Sequence, residues 1–190
     1  MQLRAPVEAG RPLLVLAVAA EAAYLDPDLP VLITGMGKVN AAAAVATVLA
    51  REPRPSLVLN LGTAGALRPG RTGLHEIATV IQHDLDTELL KTLTGETCGA
   101  PLSLAPTGAV LATGDTFVSD EAVRARLAAR ADLVDMEGYA VASAALDAGL
   151  PCRIVKQVSD EADESAARNW QESLDACARL LAAWVRDNLR

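Results

Sequence analysis

An α/β fold, a three-layer α/β/α sandwich with a central mixed sheet, is what this sequence predicts. Three observations carry the prediction. Apolar runs of strand length alternate with helical stretches along the chain. The runs are continuous, as in strands buried on both faces. The composition is 51% apolar but only 3% aromatic, so the core is built from Ala, Val, Leu and Ile. The 190 residues suit one domain, spanning 1–190.

Met1 to Pro12 reads as a frayed leader. Leu13 to Val18 and Pro30 to Thr34 read as strands, the second ending in Gly35-Met36-Gly37. Lys38 to Arg51 is Ala-rich without Gly or Pro, hence a helix, and Pro53 and Pro55 stop it. Ser56 to Asn60 is a strand closed by a Gly62-Thr63-Ala64-Gly65 loop, and Glu76 to Ile81 resumes the sheet. Thr92 to Pro106, rich in Gly, Thr, Pro and Ser, reads as a loop. Ala109 to Thr113 is a strand, Asp120 to Arg130 a helix, Leu133 to Met136 a short strand and Glu137 to Ala148 a helix. Arg153 to Val158 is a strand, and Glu172 to Leu189 an amphipathic closing helix.

The net charge of −7 argues against nucleic acid or an anionic membrane as partner, since both call for basic surfaces. An uncharged nucleoside remains compatible. Cys98, Cys152 and Cys177 are scattered, with no metal-ligand spacing and no disulfide framework, which fits reduced thiols in the cytoplasm. No signal-peptide pattern opens the chain, and no apolar run reaches membrane-spanning length.

Two acids stand out by position. Glu137 lies where a short apolar stretch gives way to a helix, and Asp160 lies just past an apolar strand. Side chains at such boundaries face the crevice at the strand ends of an α/β protein. One acid is placed to hold a sugar and the other to protonate a leaving base.

Other motifs have two readings each. Gly35-Met36-Gly37-Lys38-Val39-Asn40 lacks the third glycine of a dinucleotide fingerprint, so it is either a tight turn or a backbone cradle beside a ribose or phosphate. Asn60 to Ala66 is a small-residue segment offering N–H groups and the Thr63 hydroxyl to a ligand. Phe117, the only Phe, is a core residue or a stacking face for a flat base. Tyr24 and Tyr139 read as packing residues with a polar tip. His83, beside Asp84 and Asp86, reads as structural or interfacial in preference to a base or metal ligand. His75 reads as a surface residue.

Taken in order, the blocks Leu14–Glu21, Gly35–Ala43, Asn60–Leu67, His83–Asp86, Thr113–Val118, Val134–Val141 and Val155–Asp163 resemble the purine nucleoside phosphorylase and hydrolase superfamily. The likeness is greatest to the methylthioadenosine/S-adenosylhomocysteine nucleosidases. The resemblance implies that Asp160, beside Ser159, protonates purine N7 and that Glu137 holds the ribose hydroxyls with Met136 packed on the sugar. It implies that Phe117 stacks on the base while the Val118 backbone bonds its edge. Glu21 would activate the attacking water. Thr63, with Ala64 and Gly65, would lie near the water or phosphate. Trp170 would cover the substrate's 5′ side as a mobile lid, the alternative being a cap on the closing helix. Lys156 stands where these nucleosidases usually carry Arg, and the stretch between Asp86 and Ala109 is short for the family. The resemblance also implies a homodimer, no cofactor and no metal.

Hydrolysis is preferred over phosphorolysis, because a phosphate cradle generally needs several Arg, and none precedes Gly62 within the Asn60–Ala66 motif or lies in the Gly35–Asn40 loop. A non-catalytic nucleoside-binding protein on the same fold is the third reading.

Overall fold

The computed structural model describes residues 1–189. One strand organises it. β4 (Leu57–Ala66) is ten residues long and pairs with three others. Its first half lies parallel to β2 (Pro12–Leu16), with Pro12 opposite Leu57 and Val15 opposite Asn60. Its far end runs antiparallel to β8 (Leu133–Asp135), with Gly65 opposite Val134. Along nearly its whole length it lies parallel to β9 (Cys152–Asp160). β9 pairs antiparallel with β5 (Leu74–Gln82), β5 parallel with β7 (Ala109–Thr113), and β7 parallel with β8. Strands β4, β9, β5, β7 and β8 therefore close into a ring, from which β2, β3 (Val31–Ile33) and β1 (Gln2–Leu3) extend in that order. A short β6 (Leu102–Ser103) edges β5.

The sheet is mixed and central, as expected, and helices cover both faces. Alternation along β2 explains the layering, since successive side chains point to opposite faces. Leu13 and Val15 join one core with α1 (Lys38–Leu49) and α4 (Gly138–Asp147). Leu14 and Leu16 join the other, against α5 (Ala166–Asn188). The small faces of α1 and α4, with Ala41, Ala44, Ala142 and Ala145 buried, let the two helices pack closely over the sheet. A third core, including Leu67, Ala112, Leu127 and Ala162, lies beneath α3 (Glu121–Ala128).

Several boundaries differ from expectation. The leader is not frayed throughout: Gln2–Leu3 pairs with β3, and Arg4 donates to the carbonyls of Ala22 and Ala19. Gly62 to Gly65 is not a loop, because β4 continues through it, with a register shift against β9 between Ala64 and Gly65. Within Thr92–Pro106 lie β6 and the end of α2 (Thr87–Thr94). That helix starts at Asp86, which accepts from the Leu89 N–H, and stops at left-handed Gly95. α5 begins six residues earlier than read from the sequence.

Candidate active site

The five C-terminal strand ends of β2, β4, β7, β8 and β9 open on one cavity, the crevice expected of an α/β sheet. Every residue singled out above as catalytic or substrate-binding lines it. Glu21 comes from the turn after β2, Thr63, Ala64 and Gly65 from β4, Phe117 and Val118 from the segment after β7. Met136 and Glu137 follow β8, Ser159 and Asp160 end β9, and Trp170 comes from α5. Ala17, Val18, Met36, Thr116, Val134 and Asp135, none of them a candidate from the sequence, complete the wall.

Asp160 is the last residue of β9, buried, with Oδ2 accepting from the Ser159 hydroxyl at 2.7 Å and Oδ1 from the Ala162 N–H at 2.9 Å. Burial pushes its pKa up, and the two hydrogen bonds only partly oppose this. A raised pKa is the direction that a general acid would need. Glu137 stands across the cavity at the start of α4. Its Oε1 accepts from the Gly37 N–H at 2.8 Å. Gly37 has φ of 94°, so glycine is needed to aim that N–H. Burial, and next the negative charge of Asp135, raise Glu137 to about 7, against the pull of Lys156.

Glu21 is buried at the third corner. Its Oε1 accepts from both the Thr63 N–H at 2.8 Å and the Thr63 hydroxyl at 2.9 Å, while Oε2 has a longer contact, 3.3 Å, with the Val18 N–H. Phe117 is partly exposed at the rim, and Val118 behind it is buried.

Beneath the cavity lies a charged group whose part the sequence reading missed. Lys156 is 2% exposed and pairs with Asp135 at 2.9 Å. Burial alone would push the lysine down; Asp135, then Glu137 and Glu21, outweigh it and hold the ammonium above the usual range. Asp135 is further held by the Thr113 hydroxyl at 2.6 Å and the Gly138 N–H at 2.8 Å. The signal was present: a Lys in one apolar strand and an Asp in another must find each other when both are buried.

The remaining candidates fall elsewhere. In the Gly35–Lys38 turn three amides are taken within the protein, Gly35 by the Ala17 carbonyl, Gly37 by Glu137 and Lys38 by Asp115 at 2.7 Å, while Met36 lines the cavity. The His83 ring packs against Gly114, where a Cβ would approach within 2.4 Å, and Asp86 caps α2. The Tyr139 hydroxyl donates to the Ala100 carbonyl, and Tyr24 lies under the Arg179 guanidinium, 4.1 Å from the ring centroid. Trp170 is on a helix, not in the mobile connection expected, and its Nε1 donates to the Thr63 hydroxyl at 2.9 Å. Among the described residues, no group of His, Cys, Asp and Glu is placed to hold a metal ion. No helix among them is long and apolar enough to cross a membrane.

A family profile described as the phosphorylase superfamily matches residues 79–189. The chain belongs to the phosphorylase superfamily. This superfamily member is 30% identical over 86% of its length to the 5′-methylthioadenosine/S-adenosylhomocysteine nucleosidase of a Marinomonas species, covering 81% of that protein. It is 27% identical to the aminodeoxyfutalosine nucleosidase of Campylobacter jejuni, over 86% of this chain and 81% of that one. Its fold matches the solved structure of a futalosine hydrolase mutant of Helicobacter pylori with a TM-score of 0.82 at 19% identity, covering 94% of this chain and 97% of the other.

Proposed function

We propose that this chain is a purine nucleosidase, an N-glycosyl hydrolase that splits a purine nucleoside into free base and sugar. One observation carries hydrolysis over phosphorolysis. The donors best placed to hold a phosphate, the Thr63 N–H and hydroxyl, are already bonded to the Glu21 carboxylate. A carboxylate there repels a phosphate and suits a water. Among the described residues, no Lys or Arg lines the cavity, and Lys156 is committed to Asp135.

In this reading Asp160 gives its proton to purine N7. The bond from C1′ to the base then breaks, its electron pair going to the base, and the sugar becomes oxocarbenium-like. A water attacks C1′ and passes a proton to Glu21. Glu137 accepts hydrogen bonds from the ribose hydroxyls, with Met136 against the sugar and Phe117 against the base. Acid catalysis of this kind contributes about 10²- to 10⁴-fold, so holding the sugar in place must supply much of the rest. The chemistry calls for no cofactor and no metal. The raised pKa of Asp160 argues for a catalyst over a passive binder.

The substrate is read as methylthioadenosine, S-adenosylhomocysteine or a futalosine-type nucleoside, on the strength of what the relatives are named for. The chain is read as one domain, cytoplasmic, with its three cysteines free. It is also read as a homodimer, because α1 and α4 present a groove of small residues with Val39 78% exposed beside it. Light scattering that finds an active monomer at micromolar concentration would remove the dimer. The function is tested by incubating the protein with these nucleosides and inosine, with and without phosphate. Equal release of base and reducing sugar without phosphate is expected. Strict dependence on phosphate, with a sugar phosphate as product, overturns the reading.

A further inference from the structure

Helix α5 reaches the cavity through Trp170, whose Nε1 donates to Thr63 Oγ1 at 2.9 Å. The same Oγ1 lies 2.9 Å from Glu21 Oε1. An indole N–H is only a donor, and a threonine hydroxyl carries one proton. The hydroxyl oxygen accepts from the indole, and an ionised carboxylate can only accept, so the hydroxyl proton is committed to Glu21. Oε1 also receives the Thr63 N–H at 2.8 Å. Oε2 has only the 3.3 Å contact from the Val18 N–H, and so keeps acceptor capacity to spare.

α5 grips the other partner as well. Five and nine residues beyond Trp170 on the same helix, Asp175 accepts from the Tyr24 hydroxyl at 2.5 Å and Arg179 donates to that hydroxyl at 2.5 Å. Tyr24 lies three residues after Glu21. The helix thus holds Thr63 from one side and the turn carrying Glu21 from the other.

We propose that Trp170 is a positioning residue for the hydrolytic water: by hydrogen-bonding Thr63, it fixes the Glu21 carboxylate with Oε2 presented to the nucleophile. This rests on the hydrolase reading and assigns the indole N–H a task that an aromatic wall for the substrate does not have. Trp170→Phe keeps a ring and deletes only the donor. A lost hydrogen bond of ordinary strength predicts kcat about 10-fold lower with KM within about 2-fold. In a Thr63→Val background, where the relay is already cut, adding Trp170→Phe should cost less than about 2-fold, since effects through a shared partner are not additive. Wild-type kcat in Trp170→Phe, a rise in KM alone, or the same loss in both backgrounds overturns the proposal. The contact is also read without catalysis. In a Trp184→Phe protein Trp170 is the sole indole, and Thr63→Val should shift its emission. Superimposable spectra sink the proposal, whereas a shift in a protein that releases no base would condemn the hydrolase reading and leave the contact standing.

Discussion

Asp160 and Glu137 are both buried carboxylates with raised pKa, yet their partners differ and the proposed reaction gives them different tasks. Asp160 keeps a Ser hydroxyl and one N–H at hand, and in the proposed reaction it faces the base that leaves with a proton. Asp160→Asn keeps the shape and loses the acidic proton. It is expected to lower kcat by at least about 100-fold while ligand affinity, measured by calorimetry, stays within a few-fold. Near-wild-type turnover would remove the acid assignment. Glu137 is a better acceptor for a sugar diol when ionised, and its pKa is raised to about 7. Riboside affinity should therefore rise with pH up to about 7 and then level off, with a proton released on binding near pH 6.5. Calorimetry in two buffers of different ionisation heat measures that proton, and its absence would count against the role. The sign for stability is opposite. Between 4.5 and about 7 the folded state holds a proton that the unfolded chain has lost, so this group's contribution to stability falls as pH rises through that window. The position of both acids at the cavity was legible in the sequence because each sits at an element boundary. Asp135 was not, because its importance lies in a partner 21 positions away.

At the scale of elements, β4 is the instructive case. Gly62-Thr63-Ala64-Gly65 has the composition of a loop, yet it is strand. The small residues are required by what crosses over them. A Cβ at Gly62 would lie 3.2 Å from Glu21 Oε1 and 3.4 Å from Lys156 Nζ. One at Gly65 would lie 3.0 Å from Asp160 Oδ1, 3.1 Å from the Ala162 Cβ and 3.2 Å from Val134. Local composition cannot report such long-range crowding. Gly65→Ala is expected to destabilise by about 1–3 kcal/mol through overpacking and to displace the Asp160 carboxylate, lowering kcat. Urea unfolding and turnover both at wild-type levels would argue that β4 has room to spare. α5 was misjudged at its start for a different reason. Its first turns are polar and carry little apolar periodicity, and their register is set instead by the Trp170 contact with Thr63 and by Asn169 bonding the Ser165 hydroxyl at 2.7 Å. The helices with Ala-rich faces and the strands with unbroken aliphatic runs were read within a few residues, because there burial alone decides the pattern.

Over the whole molecule, the mixed sheet with helices on both faces was readable, whereas the ring was not. Ring closure depends on β4 changing neighbour from β2 to β8 partway along, and nothing in one strand's own residues announces a second partner. The Lys156–Asp135 pair ties β9 to β8 across glycine-cleared β4. Lys156→Met leaves Asp135 buried without its counter-charge and is expected to cost about 3–5 kcal/mol, read as a fall in the denaturant midpoint. An unchanged midpoint would mean that the pair is dispensable to the ring. β5 and β7 are adjacent in that ring, and the chain between them leaves it and returns. The α2 helix on this excursion buries none of its residues, and Leu89 and Leu93 stand 51% and 70% exposed. Such a detour is open to revision by insertion or deletion at little energetic cost, while β4, held on three ladders, is not. A change of length at α2 would then leave the cavity at the strand ends as it is, since no residue of that helix lines it.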